Sequence, residues 1–124
     1  MTTILQRALA GERLAFDDPE LRVIEAIADQ TAQCLQQFNS DSQTANERRR
    51  VFNEMIGMDV PVSTDIHAPF HSDFGQHIFV GEHVFINQDV MFVDLGGIYL
   101  GDGVLIGPRV TLITVNHIEG PSHR

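Results

Sequence analysis

Hydrophobic positions in the first half of the chain have the period of an α-helix. The longest series, at alternating spacings of three and four, is Leu21, Ile24, Ala28, Thr31, Leu35 and Phe38. This spacing predicts a helix of about five turns with one apolar face. Asp18 precedes the series and can cap the helix, and Pro19 suits its first position. The first half of the chain is therefore predicted to be helical.

Two further helices are predicted on either side of this one. A short helix is expected from Thr2 to Leu9, ended by Gly11. The sequence Thr44-Ala45-Asn46-Glu47 is a capping box, in which two side chains satisfy free backbone N–H groups. It predicts a third helix that ends at Gly57. We assign residues 1–58 to an N-terminal helical cap and residues 59–124 to a second segment of different period.

The second segment repeats every six residues. Large apolar residues lie six apart, with a single step of eight, in the series Phe74, Val80, Ile86, Phe92, Leu100, Ile106 and Leu112. Most are followed by a small or turn-forming residue, namely Gly75, Gly81, Asn87, Gly101 and Gly107. Such a repeat is typical of a parallel β-helix with three strands per coil, whose corners favour residues that tolerate positive φ. The eight-residue step, at 94–98, is predicted to be the only interruption.

Charge and hydropathy exclude several classes of partner. The 124 residues include eight Arg, no Lys and 17 acidic residues, which gives a formal charge of −9. Binding to nucleic acid or to an anionic membrane requires cations that neutralise phosphates, so neither partner is expected. No apolar run approaches the roughly 20 residues of a membrane span, and no secretory signal is evident, so a cytoplasmic location is expected. Cys34, the single cysteine, is expected to be buried and inert.

Several motifs resemble the maltose and galactoside O-acetyltransferase family. They are Ala10-Gly11-Glu12, Asp18-Pro19-Glu20-Leu21, 69–75, 78–81, Asn87, and 106–110 running to Asn116-His117. The resemblance extends over essentially the whole chain. It implies a left-handed parallel β-helix (a hexapeptide solenoid) behind a helical cap. It also implies transfer of acetyl from acetyl-CoA to a sugar hydroxyl, in a homotrimer whose active sites lie between subunits.

The resemblance assigns the catalytic base to His117. This residue follows Asn116, as the family's base follows a small or polar residue at the end of a coil. A sugar hydroxyl is a poor nucleophile near neutral pH, and a neutral imidazole is well matched to removing its proton. No residue that binds CoA is assigned, because the donor of the oxyanion hydrogen bond and the phosphate ligands are not evident in the sequence.

Candidate residues for the sugar acceptor also follow from the resemblance. They are Asp73, Asn87, Asp94, Asp17 and His71. Asp73 and Asn87 fall on acceptor positions of the family, and Asp94 lies at or beside another. The family's N-terminal acidic residue aligns with Ala15, so Asp17 is the nearest carboxylate. His71 is expected to line the sugar cleft.

Two other functions remain open. Family members continue with further repeats that supply much of the CoA surface, whereas this sequence ends seven residues after His117. A truncated, non-catalytic trimeric solenoid without a CoA site is therefore one alternative. The other is a zinc enzyme similar to the trimeric β-helix carbonic anhydrases, with His83, His117 and His123 as ligands. Their spacing is inexact, and no metal site is expected.

Overall fold

The computed structural model describes residues 2–41 and 43–116. Three α-helices precede a series of short β-strands. The helices are α1 (Ile4–Leu9), α2 (Leu21–Phe38) and α3 (Ala45–Ile56). The strands are β1 (Asp65–Ile66), β2 (Phe70–Ser72), β3 (Ile78–Val80), β4 (Phe85–Ile86), β5 (Val90–Val93), β6 (Ile98–Leu100), β7 (Leu105–Ile106) and β8 (Thr111–Ile113). The chain is therefore mainly β with N-terminal helices, and all three predicted helices are confirmed.

Side-chain capping explains where two of the helices begin. The predicted capping box of α3 is present, with Thr44 and Glu47 each accepting the other's backbone N–H. Thr3 and Gln6 form a second box at the start of α1. The predicted cap of α2 is wrong by two residues: Glu20 is the N-cap and no side chain caps it, whereas Oδ1 of Asp18 accepts the N–H of Glu20 at 2.9 Å in the turn before the helix. None of the described helices is both long and apolar enough to cross a membrane.

The strands form three parallel sheets, each of which takes strands from successive parts of the chain. The sheets are β1–β4–β7, β2–β5–β8 and β3–β6. Paired residues are 20 positions apart in every sheet, as in Asp65 with Phe85 and Ile78 with Ile98. The chain thus returns to the same sheet every 20 residues. We call 65–84 the first repeat and 85–104 the second.

The prediction of a single eight-residue step is wrong, because the step occurs in both repeats. Phe92 pairs with Ser72, and Leu100 pairs with Val80. The step from Ser72 to Val80 therefore matches the step from Phe92 to Leu100. Phe74 lies six residues before Val80, but it is a buried corner residue whose ring contacts that of His77 at 4.6 Å. Phe74 was therefore mistaken for a strand residue, because a large apolar side chain at this corner has the spacing of the six-residue series.

The corner glycines also differ in part from expectation. Of the five small or turn-forming residues that follow the apolar series, only Gly75 has a positive φ. The other left-handed positions in the strand region include three larger residues: His83, Asp89 and Arg109. His83 and Asp89 lie three residues after the last residues of β3 and β4. The left-handed residue at these two corners is therefore two positions further along the chain than the small residues Gly81 and Asn87 that were expected to adopt it.

One hydrophobic core joins the helices to the repeats. Inside the sheets, Ile66, Ile86 and Ile106 form one column of buried residues. Phe70 of β2 is fully buried and makes ring contacts with Phe38 of α2 at 6.1 Å. Phe70 also contacts Phe52 of α3 at 5.4 Å and Phe92 at 5.2 Å. The predicted segments 1–58 and 59–124 therefore share a core, and the helices hold the first repeat in place.

Candidate functional site

The outer surface of β2 and β5 carries two of the predicted acceptor residues. Successive strand residues point to opposite faces of a sheet, so His71 and Asp73 lie outside while Phe70 faces the core. In the register of the sheet, His71 lies beside Met91. Asp73 follows β2 directly and lies next to the half-buried Val93 at the end of β5. We call this surface the β2–β5 face.

His71 lies near a second carboxylate on the β2–β5 face. Its Nε2 is 3.6 Å from Oδ1 of Asp89, and both side chains are about half exposed. An exposed pair at this distance contributes little to stability. Both groups remain accessible from solvent, and His71 can donate or accept a hydrogen bond there.

Asp73 is held at the edge of the β2–β5 face by main-chain contacts. Its Oδ1 accepts the N–H of Asp94 at 3.3 Å, and its own N–H donates to the carbonyl of Phe92 at 3.4 Å. The residue is exposed overall, although its carboxylate group is partly enclosed. Desolvation raises the pKa of Asp73, the hydrogen bond from Asp94 offsets part of this rise, and the negative charge of Asp94 adds to it.

Asp94 is buried, unlike Asp73. Its side chain has no exposed surface. Its carboxylate accepts the hydroxyl of Ser72 at 2.7 Å and the N–H groups of Gly75 at 2.9 Å and His77 at 3.0 Å. A further N–H, that of Phe74, lies at 3.3 Å. In this arrangement the carboxylate is turned into the protein and away from a ligand on the β2–β5 face.

These contacts fix a corner that the sequence did not single out. We call residues 73–77 the 73–77 corner. Thr31 of α2 donates its hydroxyl to the carbonyl of Phe74, on the side of the corner that faces the helix. Thr31 interrupts the apolar series of α2 and is nevertheless buried. Thr31 was predicted only as part of the apolar face, whereas a hydroxyl at a core position of a helix is a signal from which a buried hydrogen-bond partner could have been expected.

The remaining acceptor candidates lie elsewhere. Asn87 is half-buried at the corner between β4 and β5, at the other end of β5 from Asp73, and its Oδ1 accepts the N–H of Gln88 at 2.8 Å. Asp17 is exposed in the loop between α1 and α2. The structure thus brings His71, Asp73 and Asp94 together, places Asn87 at the corner before the opposite end of β5, and shows no hydrogen bond or ion pair of Asp17 with them.

The predicted base lies outside the described residues. His117 and His123 both belong to 117–124, beyond the last described residue, and β8 ends at Ile113. The strand β8 belongs to the same sheet as β2 and β5. His83, the third residue of the zinc alternative, is exposed at a corner. Within 2–41 and 43–116, no group of three or more His, Cys, Asp or Glu side chains could hold a metal ion.

Sequence comparison identifies relatives that are longer than this chain. No protein-family model matches the sequence. Nodulation protein L of Rhizobium meliloti (strain 1021) is 32% identical over 120 residues, which are 96% of this chain and 63% of that protein. Galactoside O-acetyltransferase of Lactococcus lactis is 29% identical over 91 residues, which are 73% of this chain and 44% of that enzyme. The chain therefore spans less than two thirds of these relatives.

Structural comparison agrees with the sequence comparison. A hexapeptide-repeat-containing acetyltransferase from Vibrio cholerae, solved in complex with acetyl coenzyme A, superposes with a TM-score of 0.82. It is 32% identical, and the match covers 99% of this chain and 64% of that one. The parallel sheets, the helices before them and this similarity together show that the chain is a homologue of the hexapeptide-repeat acetyltransferases.

Proposed function

We propose that the protein is an acetyl-CoA-dependent O-acetyltransferase that acts on a sugar hydroxyl. The observation that carries this proposal is the similarity, over nearly the whole chain, to an acetyltransferase that was solved with acetyl coenzyme A. The galactoside O-acetyltransferase among the relatives supports a sugar as acceptor. The β2–β5 face offers the exposed carboxylate and imidazole groups that hydrogen bonds to sugar hydroxyls require.

In this proposal the three sheets are the sides of a left-handed parallel β-helix. A return to the same sheet every 20 residues, with parallel pairing throughout, supports one coil per repeat. The protein would act as a homotrimer with active sites between subunits. Large apolar side chains on the outside of the sheets support such contacts, since Tyr99 is 66% exposed and Leu105 75%.

His117 is proposed as the general base. It would remove the proton of a sugar hydroxyl while the hydroxyl oxygen attacks the thioester carbonyl carbon of acetyl-CoA. The tetrahedral intermediate would then break its C–S bond, which leaves the acetyl ester on the sugar, and the CoA sulfur would take up the proton. A base of this kind contributes about 10²–10⁴-fold to the rate.

Asp73 and His71 are proposed to bind the acceptor directly. The Asp73 carboxylate can accept hydrogen bonds from sugar hydroxyls, and the ring nitrogens of His71 offer a further hydrogen-bonding group. Asn87, at the far end of β5, and Asp17, on the N-terminal loop, remain proposed contacts with more distant parts of the sugar or with a neighbouring subunit's site. Asp94 is buried and its carboxylate is bound to protein donors, so it is not proposed to contact the sugar.

Release of the CoA thiol tests the proposed reaction. The protein is incubated with acetyl-CoA and a panel of mono- and disaccharides, and free thiol is followed with time. We expect release that depends on the sugar, and a rate about 10²–10⁴-fold lower in His117→Ala. Equal rates in the wild type and in His117→Ala would contradict the assignment of the base.

His83→Ala is the matched control, because His83 is an exposed histidine of the strand region that has no role in the proposed acetyl transfer. The acetyltransferase proposal predicts a wild-type rate for this variant. In the zinc alternative His83 is a ligand, so the variant would lose both activity and bound zinc. Metal analysis of the purified protein separates the two outcomes.

A second candidate is a trimeric module that binds a sugar without transferring acetyl. Its support is the charge distribution: within 51–116, Arg109 is the only Lys or Arg that could pair with the phosphates of CoA. Isothermal titration with CoA distinguishes the candidates. Heat of binding at millimolar ligand or below supports the enzyme, and a flat titration supports the non-catalytic module.

A further inference from the structure

The 73–77 corner is fixed by contacts from two parts of the chain, β5 with its following residue and α2. On the inner side, the Asp94 carboxylate accepts the N–H groups of Gly75 and His77. On the helix side, Thr31 donates to the carbonyl of Phe74. An added Cβ at Gly75 would lie 2.6 Å from Cγ2 of Thr31, so the helix and the corner are in close contact. The position of this corner is therefore determined by α2 and by the second repeat together.

Asp94 has no capacity left for a ligand. A carboxylate offers about four acceptor sites, and four protein donors occupy them: the Ser72 hydroxyl and the N–H groups of Phe74, Gly75 and His77. The side chain is also inaccessible to solvent. A sugar hydroxyl could bind Asp94 only after it displaced one of these donors and opened the corner.

Asp94 nevertheless controls Asp73, which is accessible. The main-chain N–H of Asp94 donates to Oδ1 of Asp73 at 3.3 Å. Asp73 is also the first residue of the corner whose N–H groups the Asp94 side chain binds. One residue thus determines both the main-chain position of Asp73 and the direction of its carboxylate.

We propose that Asp94 is a positioning residue of the acceptor site and acts through Asp73 without touching the sugar. This inference rests on the proposed function. With the corner fixed, the Asp73 carboxylate meets an acceptor hydroxyl in one orientation. When the corner is mobile, the Asp73 carboxylate has several orientations. Binding of the sugar must then fix one of them, and this loss of conformational entropy weakens the binding. A displacement of about 1 Å in a positioning group can cost roughly 100-fold in rate.

Asp102 provides a matched control for Asp94. Its Oδ1 accepts the N–H of Glu82 at 2.8 Å, so a carboxylate of the second repeat again holds a corner of the first. This corner lies between β3 and β4, outside the β2–β5 face. Asp102→Asn should lower the melting temperature without changing KM for the sugar.

A double-mutant cycle of Asp94→Asn and Asp73→Asn tests the inference in the full chain. The readouts are KM for the sugar, KM for acetyl-CoA, kcat and the melting temperature. We expect Asp94→Asn to raise the sugar KM by about 10- to 100-fold and to leave KM for acetyl-CoA unchanged. In the Asp73→Asn background, Asp94→Asn should raise the sugar KM no further, because its effect passes through the Asp73 carboxylate.

Thr31 gives a milder variant in case Asp94→Asn does not fold. Thr31→Val removes the hydroxyl that holds the Phe74 carbonyl, and Thr31→Ser keeps it. We expect Thr31→Val to raise the sugar KM, Thr31→Ser to stay near wild type, and neither to act in the Asp73→Asn background.

Three results would overturn the inference. If the double variant raised the sugar KM by the product of the two single effects, Asp94 would bind the sugar independently of Asp73. A lower melting temperature with unchanged sugar KM in Asp94→Asn and in Thr31→Val would mean a role in stability alone. A wild-type protein without sugar-dependent thiol release would overturn the proposed function, and the acceptor role of Asp94 with it.

Discussion

Gly75 shows how much stability depends on the contact between α2 and the 73–77 corner. Its φ of +93° costs a residue with a side chain about 1–2 kcal/mol. The Cβ of an alanine would also lie 2.6 Å from Cγ2 of Thr31, and forcing atoms into a packed interior costs about 1–3 kcal/mol. Gly75→Ala is therefore expected to lower the free energy of unfolding by about 2–5 kcal/mol.

Two other glycines separate these contributions. Gly103 has a φ of +77° and open space where a Cβ would lie, so Gly103→Ala should cost only the backbone term of about 1–2 kcal/mol. Gly101 has neither a left-handed φ nor a close neighbour. Gly101→Ala should be neutral or stabilising by up to about 1 kcal/mol, because alanine restricts the unfolded chain.

Guanidinium unfolding followed by circular dichroism measures the three variants. All proteins are compared at one concentration, because the stability of an oligomer depends on it. The midpoints should fall in the order Gly101→Ala, Gly103→Ala, Gly75→Ala. Equal losses in Gly75→Ala and Gly103→Ala would show that the Thr31 contact contributes nothing, and would refute the packing argument.

Three further predictions concern charge, reactivity and the core. The pKa of Asp73 is raised in the folded chain, so ionisation of this carboxyl destabilises the folded state at pH values above its pKa in the unfolded chain. The Asp73→Asn variant should therefore gain most stability relative to the wild type at neutral pH. This gain should decrease as the pH falls through the pKa of Asp73 in the folded chain. A difference that grows in acid would contradict this sign. Cys34 is half-buried, and not fully buried as expected. Its partial burial, with a smaller effect of the Glu54 charge, raises the pKa of its thiol. Its reaction with Ellman's reagent at neutral pH should therefore be slower in the folded protein than in guanidinium, and equal rates would contradict this. Phe70→Ala should lower the free energy of unfolding by about 3–5 kcal/mol, and the helical and strand signals should still be lost together; two separate transitions would argue against the shared core.

The helices could be predicted from sequence because their signals are local. The capping box at Thr44 and the apolar face that ends at Phe38 each lie within a few turns of chain. The parallel strands were predicted for a similar reason, since the repeat places an apolar residue at regular intervals. Phe74 shows the limit of this reasoning, because a corner residue that packs on His77 has the same spacing as a strand residue.

The role of Asp94 could not be predicted from its neighbours in the sequence. An aspartate in an acidic chain is expected at the surface, and only pairing across 20 residues brings it beneath the N–H groups of Gly75 and His77. Thr31 did carry a local signal, as a hydroxyl within an apolar series. Its partner, the Phe74 carbonyl, is 43 residues away and follows only from the packing of α2 on the first repeat.

A crystal structure of the protein with a good acceptor sugar tests the central claim most directly. We expect the sugar on the β2–β5 face, with a hydroxyl about 3 Å from the Asp73 carboxylate and the Asp94 side chain still bound to its four protein donors. A sugar bound at another surface, or one that contacts Asp94 in an opened corner, would contradict it.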